Sequence, residues 1–269
     1  MGLHAKPTLL VNWTLALIPC VILLSLYFSQ SAKRLADNPQ DKILPSLGQM
    51  VNAVDMMAFT PDKRTGEYLL WKDTLSSLRR MAIGIHVAAF IGLFLGLNMG
   101  MLPLLRGVML PLVTFISIIP PLAILPILFI AFGVDELAKV MLILIGVCPV
   151  ITRDIYHETS KIPREQITKA LSLGATQFEV VYRIVLPQIK PALFDAIRLT
   201  LGAAWMFLIA SEAIASSDGL GYRIFLVRRY LSMDVIIPYT IWITLIGFGI
   251  DFSLRKFVEW RYRWYVETR

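Results

Sequence analysis

Apolar residues along this chain are gathered into long, nearly uninterrupted stretches, and most charged residues fall between them. The hydrocarbon core of a bilayer is about 30 Å thick, so a helix needs roughly 20 apolar residues to span it. Stretches of this kind predict six transmembrane helices, at residues 9–29, 81–101, 104–132, 137–155, 191–211 and 235–257. The pattern therefore predicts an all-α membrane protein with both chain ends on the same side of the membrane.

Two of the predicted spans contain residues that shape helix packing. The second has Gly92, Gly96 and Gly100 at four-residue spacing, and small residues at this spacing let another helix approach closely. The third contains four prolines, at positions 111, 120, 121 and 126, which predict a kinked or interrupted helix. Together these features predict a compact bundle with one broken span.

Composition and charge agree with a membrane protein. With 57% hydrophobic and 17% charged residues, the chain is too apolar for one soluble core. Basic segments at a membrane surface account for the net charge of +7, so no nucleic-acid partner is expected. The distribution of lysine and arginine favours cytoplasmic termini, which makes the long segment 30–70 external. Two isolated cysteines and no recognisable catalytic motif predict neither a metal site nor catalytic residues.

The connection between the fourth and fifth predicted spans, residues 161–186, has the pattern of two short amphipathic helices. Gly174 can end the first of them in a left-handed conformation. Thr176 and Glu179 have the spacing of a capping box that begins the second, and Pro187 is predicted to end it. A hairpin of this kind has an apolar face that the groove of a partner protein could cover.

The same segment resembles the EAA loop of bacterial ABC importer permeases, whose pattern is E-A-A-x3-G-x9-I-x-L-P. Ala170, Gly174, Ile184, Leu186 and Pro187 match that pattern in identity and spacing. Thr168 and Lys169 stand where the family has glutamate and alanine, which puts the usual glutamate contact in doubt or moves it to Glu165 or Lys169. The resemblance implies that the segment couples to an ATPase through Glu165, Thr168, Lys169, Ala170, Gly174, Ala175, Phe178, Ile184, Leu186 and Pro187.

Other segments resemble the nitrate, sulfonate and taurine group of these permeases. The run I-P-P-L-A-I-L-P at residues 119–126 is similar to its third span, and S-E-A-I-A at 211–215 with G-L-G-Y at 219–222 is similar to its fifth span and following loop. This likeness implies a translocation pathway or gate at Pro120, Pro121, Glu212, Gly219 and Gly221. For Glu212 the alternative is a structural hydrogen bond to the Gly219 loop. Residues 38–46, 62–66 and 222–230 resemble permeases associated with urea carboxylase, which are linked to guanidine use.

What these resemblances imply is a single permease domain over residues 1–269, with the type I ABC importer fold and a cytoplasmic coupling hairpin. Such a subunit lies in the bacterial inner membrane with a second permease copy, most simply as a homodimer, a pair of ATPase subunits and a periplasmic solute-binding protein. The chain has no G-x-x-x-x-G-K-[ST] loop, so ATP and Mg²⁺ are expected on the ATPase, and the chain itself is expected to be no enzyme and to have no cofactor.

The transported solute is expected to be small and polar. Guanidine or a related nitrogen compound is one prediction, and nitrate, taurine or organic sulfonates are the alternative. A carrier driven by an ion gradient is an alternative of another class, although such carriers usually have inverted repeats and more than six spans in one chain.

Overall fold

The computed structural model describes residues 9–39, 41–63, 65–214 and 216–267, and its secondary structure in these ranges is helical. The α-helices, in chain order, are α1 (Leu9–Asp37), α2 (Leu47–Ala58), α3 (Leu69–Met101), α4 (Pro103–Ile118), α5 (Leu125–Phe132), α6 (Glu136–Ser160), α7 (Arg164–Ser172), α8 (Gln177–Glu179), α9 (Leu186–Ile214), α10 (Leu220–Arg228), α11 (Met233–Arg261) and α12 (Arg263–Glu267). A 3₁₀-helix, Pro121–Ile124, precedes α5, and a π-helix, Val180–Val185, joins α8 to α9.

The chain divides into two compact units, and the first comprises Met1–Leu69 and Leu226–Thr240. Here the Tyr27 hydroxyl donates to the Pro45 carbonyl at 2.8 Å. Ser46 and Gln49 form a reciprocal capping box at the start of α2. Helix α1 continues to Asp37, so the segment predicted to be external begins with helix rather than with irregular chain.

The second unit, Leu70–Phe225 with Ile241–Arg269, has α6 packed along α9 at its centre. Helix α3 approaches α6 through the predicted glycine ridge. A Cβ atom built on Gly96 would lie 2.6 Å from the Thr152 carbonyl oxygen, and one on Gly92 would lie 2.7 Å from Cγ2 of Ile151. Only glycine allows this separation, so the close packing predicted from residue spacing is confirmed.

The third predicted span is interrupted, as its prolines predict. Helix α4 contains Pro111 without ending there, and the chain breaks at Ile119 and Pro120 before the 3₁₀-helix and α5. The two arms of this broken segment are bent by 81°. Adjacent prolines lack the N–H groups that would continue the helical hydrogen bonds, which places the break at this position.

Three helical stretches among the described residues are long and apolar enough to cross a membrane: Leu69–Met101, Gln177–Ile214 and Met233–Arg261. The bent pair Pro103–Ile118 and Pro121–Phe132 is a fourth if it counts as one span. Helices α1 and α6 occupy the positions of the first and fourth predicted spans. The number of six spans stays a prediction.

Candidate functional site

The segment between α6 and α9 contains two short helices, α7 and α8, separated by a turn at Gly174, and residues 161–186 are called the hairpin below. Helix α7 ends before Gly174, whose φ of +91° lies in the left-handed region that favours glycine. Thr176 Oγ1 then accepts a hydrogen bond from the Glu179 N–H at 3.2 Å, and a carboxylate oxygen of Glu179 accepts one from the Thr176 N–H at 3.0 Å. These contacts confirm the predicted turn and capping box.

The prediction that Pro187 ends the second helix is wrong. The chain continues from α8 through the π-helix into α9, and Pro187 lies in the first turn of α9. Proline is tolerated in the first turn of a helix, where its missing N–H removes little, and the Leu186 N–H is bonded to the Val181 carbonyl five residues earlier. Helix α8, the π-helix and α9 therefore form one continuous helical stretch, Gln177–Ile214, which contains the predicted fifth span.

The predicted coupling residues differ in exposure. Glu165, Thr168 and Lys169 line one shallow cleft along α7. The two residues that depart from the family pattern therefore lie beside Glu165, which is one of the two residues, with Lys169, to which the usual glutamate contact could move. The exposed members of the set are Glu165, Thr168, Lys169, Gly174, Phe178 and Pro187, and the half-buried members are Ala170, Ala175, Ile184 and Leu186. Phe178 is 70% exposed. The outer surface of the hairpin thus combines charged groups with a large uncovered apolar side chain.

A buried ion-pair network lies at the other end of the α6 and α9 pair. Its centre is Arg80 on α3, whose side chain is 4% exposed. Arg80 donates two hydrogen bonds to Glu136 at the start of α6, at 2.6 and 2.7 Å. It donates one to Glu212 near the end of α9 at 2.7 Å, and two to the side chain and carbonyl of Asp218. These five bonds use all five N–H donors of the guanidinium group.

Glu212 is the most deeply buried acid of this network, with no exposed surface. Besides the bond from Arg80, it accepts hydrogen bonds at 2.8 Å from the Ser77 hydroxyl and from the Gly221 N–H. A Cβ atom on Gly219, whose φ is +116°, would lie 2.5 Å from the Glu212 carboxyl carbon. A structural hydrogen bond between Glu212 and this loop is therefore present, and a role of Glu212 in the gate stays a prediction.

A second set of contacts fixes the same loop. Asp73, which is fully buried, accepts a hydrogen bond from Arg223 at 2.8 Å and another from the Gly219 N–H at 3.0 Å. Lys139 donates to Glu136 at 3.2 Å and to the Ser216 hydroxyl at 3.1 Å. The loop after α9 is therefore held against α3 and α6 by three cations and their acidic partners.

The sequence interpretation did not assign a role to Arg80, Asp73 or Arg223. One signal was present: Asp73, Ser77 and Arg80 fall at i, i+4 and i+7, which places three polar side chains on one face of the first turns of α3. Polar groups at such depth must be paired or functional.

Of the predicted pathway residues, the structure brings Glu212, Gly219 and Gly221 together, while Pro120 and Pro121 lie at the break in the third span. Within the part of the chain that the structure describes, no group of three histidine, cysteine, aspartate or glutamate side chains could hold a metal ion.

Apolar helices, a proline-broken span and an exposed hairpin define an α-helical transport protein of the membrane. The chain belongs to the family of binding-protein-dependent transport system inner membrane components, whose sequence model matches residues 88–261.

Two sequence relatives and one solved structure are similar to this chain. The taurine transport system permease protein TauC of Escherichia coli (strain K12) is 30% identical over 200 residues, covering 74% of this chain and 73% of TauC. The bicarbonate transport system permease protein CmpB of Synechococcus elongatus is 30% identical over 201 residues, covering 74% and 70%. A solved structure of the MetNI methionine ABC transporter in an inward-facing conformation covers 72% of this chain and 99% of its own, with a TM-score of 0.54 and 23% identity, which shows the fold.

The predicted class is therefore confirmed. The chain is the permease subunit of an ABC importer of small solutes, it belongs to the nitrate, sulfonate and taurine group, and it has the all-α type I importer fold. It is a multi-pass inner-membrane protein and not itself an enzyme.

Proposed function

We propose that the chain forms half of a translocation pore whose hairpin docks on a separate cytoplasmic ATPase subunit. The observation that best supports docking is that the hairpin has large exposed apolar side chains in a chain of this family: Leu173 is 81% exposed and Phe178 is 70% exposed. Burial of apolar surface is worth about 25 cal/mol per Å², so side chains of this size favour a partner that covers them. A groove in the ATPase is the partner we propose.

The remaining assembly follows from the same proposal. We propose a homodimer of single-domain permeases over residues 1–269, two ATPase subunits that bind ATP and Mg²⁺, and a periplasmic binding protein that delivers the solute. The hairpin and both termini are then cytoplasmic, and the ion-pair network around Arg80 lies toward the periplasm, since it occupies the opposite ends of α6 and α9.

For the solute, we propose guanidine or a related small nitrogen compound, with nitrate, taurine or organic sulfonates as the competing candidates. Support comes from the segments at 38–46, 62–66 and 222–230, whereas the relatives TauC and CmpB are named for taurine and bicarbonate. Glu212 does not distinguish a cationic solute from an anionic one, because its carboxylate is paired with Arg80 inside the protein.

Docking is tested by co-purification of the ATPase subunit with the wild-type permease, with Phe178→Asp and with Phe59→Asp. Phe59 is 67% exposed but lies in the segment predicted to be external, so it is a matched control. We expect Phe178→Asp to lose the ATPase while Phe59→Asp retains it. Retention by both variants would contradict docking through this surface.

The solute is tested on the cognate binding protein by calorimetric titration with guanidinium, urea, taurine and nitrate. Tight binding of guanidinium alone is the expected result. Tight binding of taurine or nitrate without guanidinium would reject the guanidine proposal and leave the importer assignment intact.

A further inference from the structure

The π-helix at Val180–Val185 lies where the hairpin passes into α9. Hydrogen bonds in a π-helix span five residues instead of four, so the segment is wider than an α-helix and easier to rearrange. Gln188 supports it from the α9 side by donating its side-chain amide to the Ile184 carbonyl at 2.9 Å. A movement of the hairpin therefore reaches α9 through this segment of altered hydrogen bonding.

Tyr182 lies within the π-helix and makes two side-chain contacts. Its ring packs against that of Phe178, with centroids 4.6 Å apart. Its hydroxyl is paired with the side chain of Asn98 on α3: the Asn98 amide donates to the Tyr182 oxygen at 3.1 Å, and the Tyr182 hydroxyl is 3.4 Å from the Asn98 carbonyl oxygen.

Asn98 is held in place for this pairing. It is 7% exposed, and its amide also donates to the Phe94 carbonyl at 2.7 Å, which fixes the orientation of the side chain. The chain itself joins the hairpin to α6 at one end and to α9 at the other. Because α3 is a separate helix that packs on α6 through the glycine ridge, the hydrogen bond between Tyr182 and Asn98 gives the hairpin a further connection, to a third membrane helix.

We propose that Tyr182 is a positioning residue for energy coupling: it joins the hairpin to α3, so that a displacement of Phe178 by the ATPase moves α3 together with α9. This inference rests on the proposed docking of the hairpin on an ATPase. In this proposal the hydrogen bonds of the π-helix rearrange when the hairpin moves, and the hydrogen bond from Asn98 to Tyr182 makes α3 move with it. Physical coupling of this kind needs contacts that two elements share.

The test uses the complete transporter in proteoliposomes, with Tyr182→Phe, Asn98→Leu and the double variant. Tyr182→Phe keeps the ring and its contact with Phe178 and removes only the hydroxyl. Co-purified ATPase, ATP hydrolysis and solute uptake are measured separately. We expect unchanged ATPase binding and hydrolysis, and at least about a fivefold fall in uptake per ATP, the lower range of coupling effects. The double variant should fall no further than Asn98→Leu alone, because that substitution already removes the bond to Tyr182.

The matched control is Tyr265→Phe, which removes a tyrosine hydroxyl that is bonded at 3.1 Å to Asp195, a residue outside the hairpin and outside α3. It should leave uptake per ATP unchanged. If uptake per ATP is unchanged in Tyr182→Phe, the inference is overturned. If that value is unchanged and less protein is recovered from the membrane, the bond is purely structural. If wild-type uptake does not depend on ATP, the proposed function itself fails and the inference fails with it.

Discussion

Replacing Arg80 by alanine tests how much the buried network stabilises the permease. The substitution removes five hydrogen bonds and leaves Glu212 with the Ser77 and Gly221 donors alone. The two other acids are less dependent on Arg80, since the side chain of Asp218 is 24% exposed and that of Glu136 is 62% exposed. Water can solvate both of these once the guanidinium is gone.

The burial of each acid sets the magnitude. Removing one partner of a buried ion pair costs about 3–5 kcal/mol, whereas an exposed pair contributes roughly 0–1 kcal/mol. We therefore expect a cost of about 3–5 kcal/mol for Arg80→Ala, which arises mainly at Glu212, and less than about 1 kcal/mol for Glu136→Gln. Arg80→Lys should lie between them, because a lysine cannot make the paired bonds to Glu136.

The assay is the midpoint of thermal denaturation of the purified protein in detergent. At about 2–4 °C per kcal/mol, Arg80→Ala should lower the midpoint by roughly 10 °C and Glu136→Gln by no more than about 3 °C. An equal loss from both variants would refute the dependence on burial. A wild-type midpoint for Arg80→Ala would refute the stabilising role of the network altogether.

Close contacts and chain orientation give three further tests. Gly96→Leu should sharply lower the yield of folded protein, because the new side chain would meet α6. Gly107→Leu is the control and should be tolerated, because the space around Gly107 is open. The yield of protein extracted in detergent measures both effects. Gly219→Ala should lower the denaturation midpoint, since its φ of +116° is strained for alanine and its Cβ would meet a buried carboxylate. In intact cells that lack native cysteines, an impermeant thiol reagent should modify a cysteine at position 47 before one at position 173, and the reverse order would overturn the predicted topology.

Features that depend on local chemistry were predictable from the sequence. Paired prolines cannot continue a helix, so the break at Pro120 follows from residue identity. Glycines at four-residue spacing predicted the close contact at Gly96, and the T-x-x-E spacing predicted the cap at Thr176, because each needs only residues a few positions apart.

Features that depend on distant partners were not predictable in the same way. Arg80 meets acids 56, 132 and 138 positions away, and no local pattern specifies those distances. The error at Pro187 has a different cause: the rule that proline ends a helix holds in a helix interior, whereas this proline falls where a π-helix passes into a new α-helix. Local rules predicted the candidate hairpin, whereas the continuity of its second helix with α9 was visible only in the folded chain.

The break between α4 and α5 has a consequence for hydration. Pro120 and Pro121 supply no backbone N–H, and the chain turns by 81° there before it resumes a helix. In hydrocarbon every backbone carbonyl needs a donor, so irregular chain at membrane depth is stable only where protein or water supplies one. Pro120 is exposed in the folded chain, which leaves the turn open to solvent or to a neighbouring subunit. An aqueous crevice that reaches this turn would supply water as a hydrogen-bond donor, and the same crevice would let a hydrated solute enter the thickness of the bilayer.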